Sequence, residues 1–487
     1  MKAARRASGR VRRGRVAGLV LLAAVLAGPG ARGAFGQEER TLAPGGGLTL
    51  EEALRTALAR NPGLESADAA AAAASSARWA DWGAFLPVVG ASASLSQTDF
   101  TNVTFLTPEG SPATIDPPLE DVSKSSSASL SFGFSLLNPE RIADVKAGAA
   151  REEAAWLRLT SAERTVIRDV KRSYFEALKQ QRLLAAAEAQ LEARRVDLEM
   201  TRERYRIAAA SRSDLLGAEI DAGDAELRVL SARDALEAAV RSLQVVAGTE
   251  VTAVRAEDVR LRDVEALPAI AGLDAAALVQ AARGSSPALR ALALDEKAAS
   301  ASLWSARAAW LPTIDLRYSL GRGKQLGRDE SLFDFDPANT STSFQVIGSW
   351  NLFQGFTRKR QTSEASRQLR QARADLTAQS LQLEKEVRDL AGELERRGRR
   401  LELLGRTREL AAERLDLARE LYRLGSIQYF NLQQAIDRLT QAEQSLFTER
   451  YDYLIRWAEL EQRVGPGLAA AAARAPGWAP AGSPDVR

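Results

Sequence analysis

The sequence predicts a mostly α-helical chain carrying a few amphipathic β-strands, built as two copies of one helix, strand, strand and long-helix unit. Three observations predict it. Motifs recur at fixed offsets: Trp82-Gly-Ala-Phe-Leu-Pro87 and Ala309-Trp310-Leu311-Pro312 each lead into a run of alternating residues, and their prolines stand 225 apart, as do those of Pro62-Gly-Leu64 and Pro287-Ala-Leu289. Further on, Tyr205, Asp214-Leu215 and Ala218 match Tyr422, Asn431-Leu432 and Ala435 at an offset of 217. Self-similarity over such a distance marks a tandem duplication. The second observation is compositional, since 26% charged and only 6% aromatic residues in 487 suit long helices better than several compact cores. The third is that residues 139–208 and 357–424 run without an internal proline.

The chain opens with Lys2, Arg5, Arg6, Arg10, Arg12, Arg13, Arg15 and Arg32 and no acid before Gly36. An apolar run, Val16 to Ala27, and small residues around Ala34-Phe35-Gly36 follow, so residues 1–36 read as a secretory signal peptide cleaved after Gly36. Without them 58 basic residues face 63 acidic ones, a net of about −5, which argues against a nucleic-acid binder. Cysteine and histidine are both absent. That excludes disulfides, a thiolate nucleophile and a lipidated cysteine, and removes the usual imidazole base and metal ligand, so neither an enzyme nor a metal or other cofactor is expected. The expected organisation is residues 1–36 signal peptide, 37–48 linker, 49–250 first repeat, 251–273 inter-repeat linker, 274–465 second repeat and 466–487 flexible tail.

Each repeat opens with one moderate helix, expected over about residues 49–82 and 274–309, with Thr49 as a cap for the first. Strands follow. Ala128, Leu130, Phe132, Phe134 and Leu136 alternate with Ser127, Ser129, Ser131, Gly133 and Ser135, one apolar face against one wet face. Val89, Ala91, Ala93 and Leu95 alternate with Gly90, Ser92, Ser94 and Ser96; Ile314, Leu316, Tyr318 and Leu320 with Asp315, Arg317, Ser319 and Gly321; and Phe344, Val346 and Trp350 with Ser343, Gln345 and Ser349. Residues 98–125 and 322–340 read as polar loops between partner strands.

After the mature N-terminus no stretch is long and apolar enough for a transmembrane helix, so any further span must be made of strands. A bilayer admits a sheet only if its edges are closed, and four strands cannot close on themselves. The chain must therefore pool strands with copies of itself or keep a small sheet in water.

The long helices carry a seam: Leu376, Leu383 and Leu390 are seven apart, as are Val387, Leu394 and Leu401. It suits a wide helical cylinder or a plain two-helix rod. Each run ends in a hairpin, Tyr205-Arg-Ile-Ala-Ala-Ala-Ser211 or Tyr422-Arg-Leu-Gly-Ser-Ile-Gln428, where Gly425 can take a positive φ, and Asp214 and Asn431 are expected to cap the returning helices.

Together with Asn61-Pro62, the Leu-Pro pairs before strands, Asn351-Leu-Phe-Gln-Gly-Phe356 and the Tyr-x-x-Gly tip, this order of elements resembles the TolC-like outer membrane efflux proteins over about residues 47–465. The resemblance implies a homotrimer sharing one 12-stranded outer-membrane barrel, continued through the periplasm by an α-helical coiled-coil barrel. It implies an exit duct for a Gram-negative tripartite efflux or type I secretion system, fed by an inner-membrane transporter through a periplasmic adaptor. A trimeric outer-membrane scaffold or adhesin without export is the competing reading. In the family, aspartate rings narrow the tunnel end; the matching positions here are Asn431 and Gln434. Asp214 matches an aspartate that bonds a tyrosine matching Tyr422, while the gate arginine is replaced by Ile427 opposite Ser213. Tyr205, Ala208 and Gly425 fall at the tips expected to meet the adaptor.

Overall fold

The computed structural model describes residues 48–100, 104–114, 121–264, 267–268, 274–326, 339–465 and 468. Contacts divide the chain after Thr41, and only the unit from Leu42 onward contains described residues. The expected signal peptide and nearly all of the C-terminal tail lie outside them.

The first half runs α1 (Leu50–Arg60), α2 (Pro62–Gly83), β1 (Val88–Phe100), a small hairpin of β2 (Thr104–Leu106) and β3 (Pro112–Thr114), β4 (Asp121–Leu137), α3 (Pro139–Arg206) and α4 (Arg212–Ala247). The second runs α5 (Ala275–Ser285), α6 (Pro287–Ala308), β5 (Thr313–Leu326), β6 (Thr340–Ser349), α7 (Thr357–Arg423) and α8 (Tyr429–Val464). At 1.5 Å per residue the 68 residues of α3 extend about 100 Å.

The single opening helix expected in each half is two helices. Proline lacks the N–H that a helix interior needs and drives the residue before it out of the α region. Asn61 accordingly sits at φ −67°, ψ 120°, and its Oδ1 accepts from Gly63 and Leu64, capping α2. Ser286 does the same before Pro287, accepting from the Leu289 N–H. Thr49 forms the expected capping box with Glu52.

Each break is fastened to the end of its own half. The Asn61 amide donates to the Val246 carbonyl at 2.8 Å, and the Ser285 hydroxyl donates to the Val464 carbonyl at 2.6 Å. Close approach in the first half requires glycine at 248, which has φ +68° and whose absent Cβ would lie 2.4 Å from the Arg60 carbonyl oxygen.

β1, β4, β5 and β6 form one antiparallel sheet in that order. The register stacks the apolar residues in rows. Val89 faces Phe132, Phe132 faces Tyr318, and Tyr318 faces Phe344. The opposite rows are polar: Ser92 hydrogen-bonds Ser129 at 2.7 Å and Ser135 donates to Asp315 at 2.8 Å. The loops are shorter than expected, because the backbone ladder continues to Phe100 paired with Asp121 and to Leu326 paired with Lys124. Polar residues on both faces hide that continuation from a period-two pattern. Residues 327–338 lie outside the described residues.

The main core sits at mid-length of the helices, where Ala53 and Ala57 of α1 meet Val170, Tyr174 and Leu178 of α3, Leu243 of α4 and Tyr451 of α8. The extended segment after α4 crosses it, pairing Leu261 with Leu48. The Tyr174 hydroxyl reaches the carbonyls of Leu48 and Arg262, each at 2.8 Å, and Tyr451 donates to Asp263 at 3.0 Å. Burial pushes both phenols up to about 12. The expected seam on α7 is present: Leu383, Val387 and Leu394 are buried against Tyr453, Trp457 and Leu460 of α8 and Leu278 of α5.

Candidate functional site

The two helical hairpins end in turns of one geometry. After α3, Ala208 takes φ +62°, its N–H bonds the Tyr205 carbonyl at 3.0 Å, and the next N–H bonds Arg204 at 2.8 Å. After α7, Gly425 takes φ +73°, its N–H bonds the Tyr422 carbonyl at 3.0 Å, and Ser426 bonds Leu421 at 2.9 Å. This left-handed stop satisfies the last free carbonyls of a helix. The duplication keeps the turn and changes the residue, so the first half holds an alanine where a Cβ is disfavoured.

The caps beyond the turns differ from expectation. Ser211, not Asp214, is the N-cap of α4; Asp214 sits three residues on and returns a hydrogen bond to the Ser211 N–H at 3.1 Å. Gln428 precedes α8 without any side-chain cap bond, and Asn431 lies within the first turn with its side chain exposed. In the first half the serine and the aspartate satisfy each other's backbone N–H groups, a capping box that the second half lacks.

The Asp214–Tyr422 hydrogen bond implied by the resemblance is not formed among the described residues. The Asp214 carboxylate is committed to its capping box, while Tyr422 is buried among Leu415, Ala418 and Leu432. Arg204 holds it instead. That guanidinium stands 4.4 Å over the Tyr422 ring and donates to the Tyr422 carbonyl at 2.8 Å, tying the end of α3 to the end of α7. Ile427 packs against the same cluster, whereas Ser213 is exposed on α4. Asn431 and Gln434 share an exposed face of α8, and Tyr205, Ala208 and Gly425 are exposed at the turns.

One turn deeper is a polar cluster that the sequence reading missed. The Tyr429 hydroxyl donates to Asp221 at 3.1 Å and the Gln433 amide donates to the same carboxylate at 3.0 Å, so α8 is bonded to α4. Arg194 of α3, only 4% exposed, reaches both Asp221 and Asp437 of α8. Burial drives the Tyr429 phenol up, and the Asp221 charge adds to it. Asp197, 3% exposed, has one carboxylate oxygen with no partner, and burial lifts its carboxyl above the ordinary aspartate range against the pull of Arg419 and Arg194. No motif announces this cluster, since its members come from three helices; the only signal was charged residues interrupting an apolar face.

Two sets of exposed apolar residues frame the site. On α7, Leu403, Leu410 and Leu417, continued by Leu424, repeat every seven residues and are each more than 60% exposed. On α4, Leu216, Ile220, Leu227 and Leu230 form a second stripe. At the far end, Val89 of β1 and Phe344 and Val346 of β6 are exposed on strands that each lack one neighbour. Among the described residues no helix is long and apolar enough to cross a membrane, and no group of carboxylates is placed to hold a metal.

The family model described as "Outer membrane efflux protein" matches residues 53–249 and 278–466. Solved structures share the fold. The chain is similar to the outer membrane protein VceC of Vibrio cholerae (TM-score 0.72, 18% identity, 85% of this chain and 96% of that one). It is similar to the CmeC outer membrane channel of Campylobacter jejuni (TM-score 0.72, 15% identity, 86% of each chain). It is also similar to the open state of the MtrE outer membrane channel of Neisseria gonorrhoeae (TM-score 0.69, 21% identity, 86% and 89%). No curated protein sequence matches.

Proposed function

The chain belongs to the outer membrane efflux protein family, and from that premise we propose that it is the outer-membrane exit duct of a tripartite efflux or type I secretion system. Three copies pool four strands each into a 12-stranded barrel, and their helical hairpins close side by side into a periplasmic cylinder. A periplasmic adaptor docks at the hairpins and an inner-membrane transporter supplies the energy; the duct itself performs no chemistry. Residues 1–36 direct export, and the repeats 49–250 and 274–465 with their linkers are the structural units of this assembly.

The observation that carries this reading is the sheet. It has one apolar face, one serine-rich face and two unpaired edges, a combination that hydrocarbon tolerates only when other strands complete the wall. The exposed leucine repeat of α7 and the stripe on α4 support the same assembly, since seams left open in one chain fit the flanks of neighbouring hairpins.

The periplasmic end is the gate. Asn431 and Gln434 line its narrowest part with amides, so the entrance lacks the acidic rings found elsewhere in the family. Tyr422, Asp214, Ser213 and Ile427 shape the turns that must move, and Tyr205, Ala208 and Gly425 present them to the adaptor. The Tyr429–Asp221–Arg194–Asp437 cluster clamps α8 to α3 and α4, and opening requires it to break. Single-channel recording from purified protein in a planar bilayer tests the duct: stepwise conductance is expected, and a silent bilayer with correctly inserted protein contradicts it.

A further inference from the structure

Where the sheet gives way to helices, the end of α6, the 350–356 loop and the first turns of α7 enclose a cavity of about 560 Å³. It is lined by Leu303, Trp310, Leu352, Phe353 and Phe356, by hydroxyl side chains from the first turns of α7, and by the cations Arg307 and Lys359. None of the lining side chains is acidic. We propose that this cavity binds a membrane phospholipid with an anionic headgroup, its phosphate against Arg307 and Lys359 and its upper acyl segments against the aromatic wall.

Position supports this occupant. Trp350 ends the apolar series of β6 and donates from its indole nitrogen to the Trp310 carbonyl at 3.1 Å, so the cavity wall continues the face assigned to lipid at the level where tryptophans meet headgroups. Charge supports it too. Arg358 is spent inside, donating to the Asn351 carbonyl and standing 5.3 Å from the Trp310 ring, whereas Arg307 and Lys359 are exposed and make no ion pair among the described residues. These two cations beside apolar side chains are complementary to a phosphate joined to hydrocarbon and repel a cationic peptide.

The loop is held open rather than collapsed. Gly355 and Phe356 both take positive φ, +54° and +66°, and a phenylalanine in that region is strained. Phe353 and Phe356 meet edge to face at 5.8 Å, and both stay more than 70% exposed. Large aromatic rings standing in water side by side mark a surface for an apolar occupant. A volume of this size lies in the range of ligand pockets and accommodates a headgroup with the upper part of its chains.

This proposal rests on the membrane assignment above, and the test separates the two. Native mass spectrometry of the full-length protein in mild detergent, with added phosphatidylglycerol or phosphatidylethanolamine, reads retained lipid, while bilayer recording on the same sample reads the duct. Retention of phosphatidylglycerol in preference to phosphatidylethanolamine is expected, falling about tenfold in the double variant Arg307→Ala, Lys359→Ala with conductance unchanged. Equal retention by wild type and variant overturns the proposal. So does complete displacement by millimolar inorganic phosphate, which marks a simple anion site, or an absence of retained lipid from a conducting protein, which marks a cavity filled by a neighbouring copy. Loss of conductance from the wild type would strike the duct reading alone.

Discussion

Tyr429, in the first turn of α8, donates its hydroxyl to the carboxylate of Asp221 on α4 at 3.1 Å. The bond joins the two halves of the duplication beside Arg194, within one turn of the residues that line the tip. In the proposed duct, opening the periplasmic end moves one hairpin away from the other, which places this contact across the motion.

A hydrogen bond to a charged partner contributes about 1.5–3 kcal/mol. Tyr429→Phe is therefore expected to raise the ratio of open to closed single channels about ten- to a hundredfold while leaving the assembly intact. Tyr422→Phe is expected to change little, because the Tyr422 hydroxyl has no hydrogen-bond partner among the described residues and its ring and carbonyl do the holding. Equal gating by the two variants in bilayer recordings would contradict the assignment.

Much of this molecule was legible in its sequence, and the limits were physical. The duplication followed from motifs at fixed offsets, the long helices from runs without internal proline, and the strands' faces from apolar spacing, because burial on one side fixes period. The breaks at Asn61 and Ser286 were missed although Pro62 and Pro287 were in plain view. An alanine-rich helix shows little apolar periodicity, and its continuation hid the change of direction. The Arg194 cluster was illegible because residues from α3, α4 and α8 meet only after packing. Of the Asp214–Tyr422 pair, Asp214 accepts from the Ser211 N–H and Tyr422 is buried in an apolar cluster, contacts that its match to a family motif does not reveal.

The positive φ of Ala208 is the strained counterpart of Gly425. Ala208→Gly is expected to stabilise the first hairpin by about 1 kcal/mol, and Gly425→Ala to destabilise the second by a similar amount, because a Cβ is disfavoured in the left-handed region. Hydrogen exchange at the two tips reads both; slower exchange in Gly425→Ala would show that the turns are not equivalent.

Asp197 makes stability depend on pH. Burial raises its carboxyl above 3.8, so the folded state holds the proton more tightly than the unfolded chain does. The contribution is complete below 3.8 and is lost as pH rises through the higher folded value. Asp197→Asn is therefore expected to unfold at a higher temperature than wild type at pH 8, with the gap narrowing as the pH is lowered toward 3.8. A gap that widens on acidification would reverse the sign and refute the argument.

The exposed seam of α7 has a direct consequence. In the proposed assembly, Leu410→Glu with Leu417→Glu places two charges where neighbouring hairpins pack, and each leucine no longer covered there forgoes up to about 1.5–3 kcal/mol before the charge is counted. Light scattering is expected to show a weakened assembly that shifts toward single chains on dilution. An unchanged mass at every concentration would place the seam in solvent.

In the proposed duct, separate copies complete one wall between them. The mass of the purified full-length protein in mild detergent, corrected for bound detergent and lipid, tests it most directly. Three chains per particle, with a continuous bore in electron micrographs, are predicted; a single chain with its sheet edges unpaired would contradict the account.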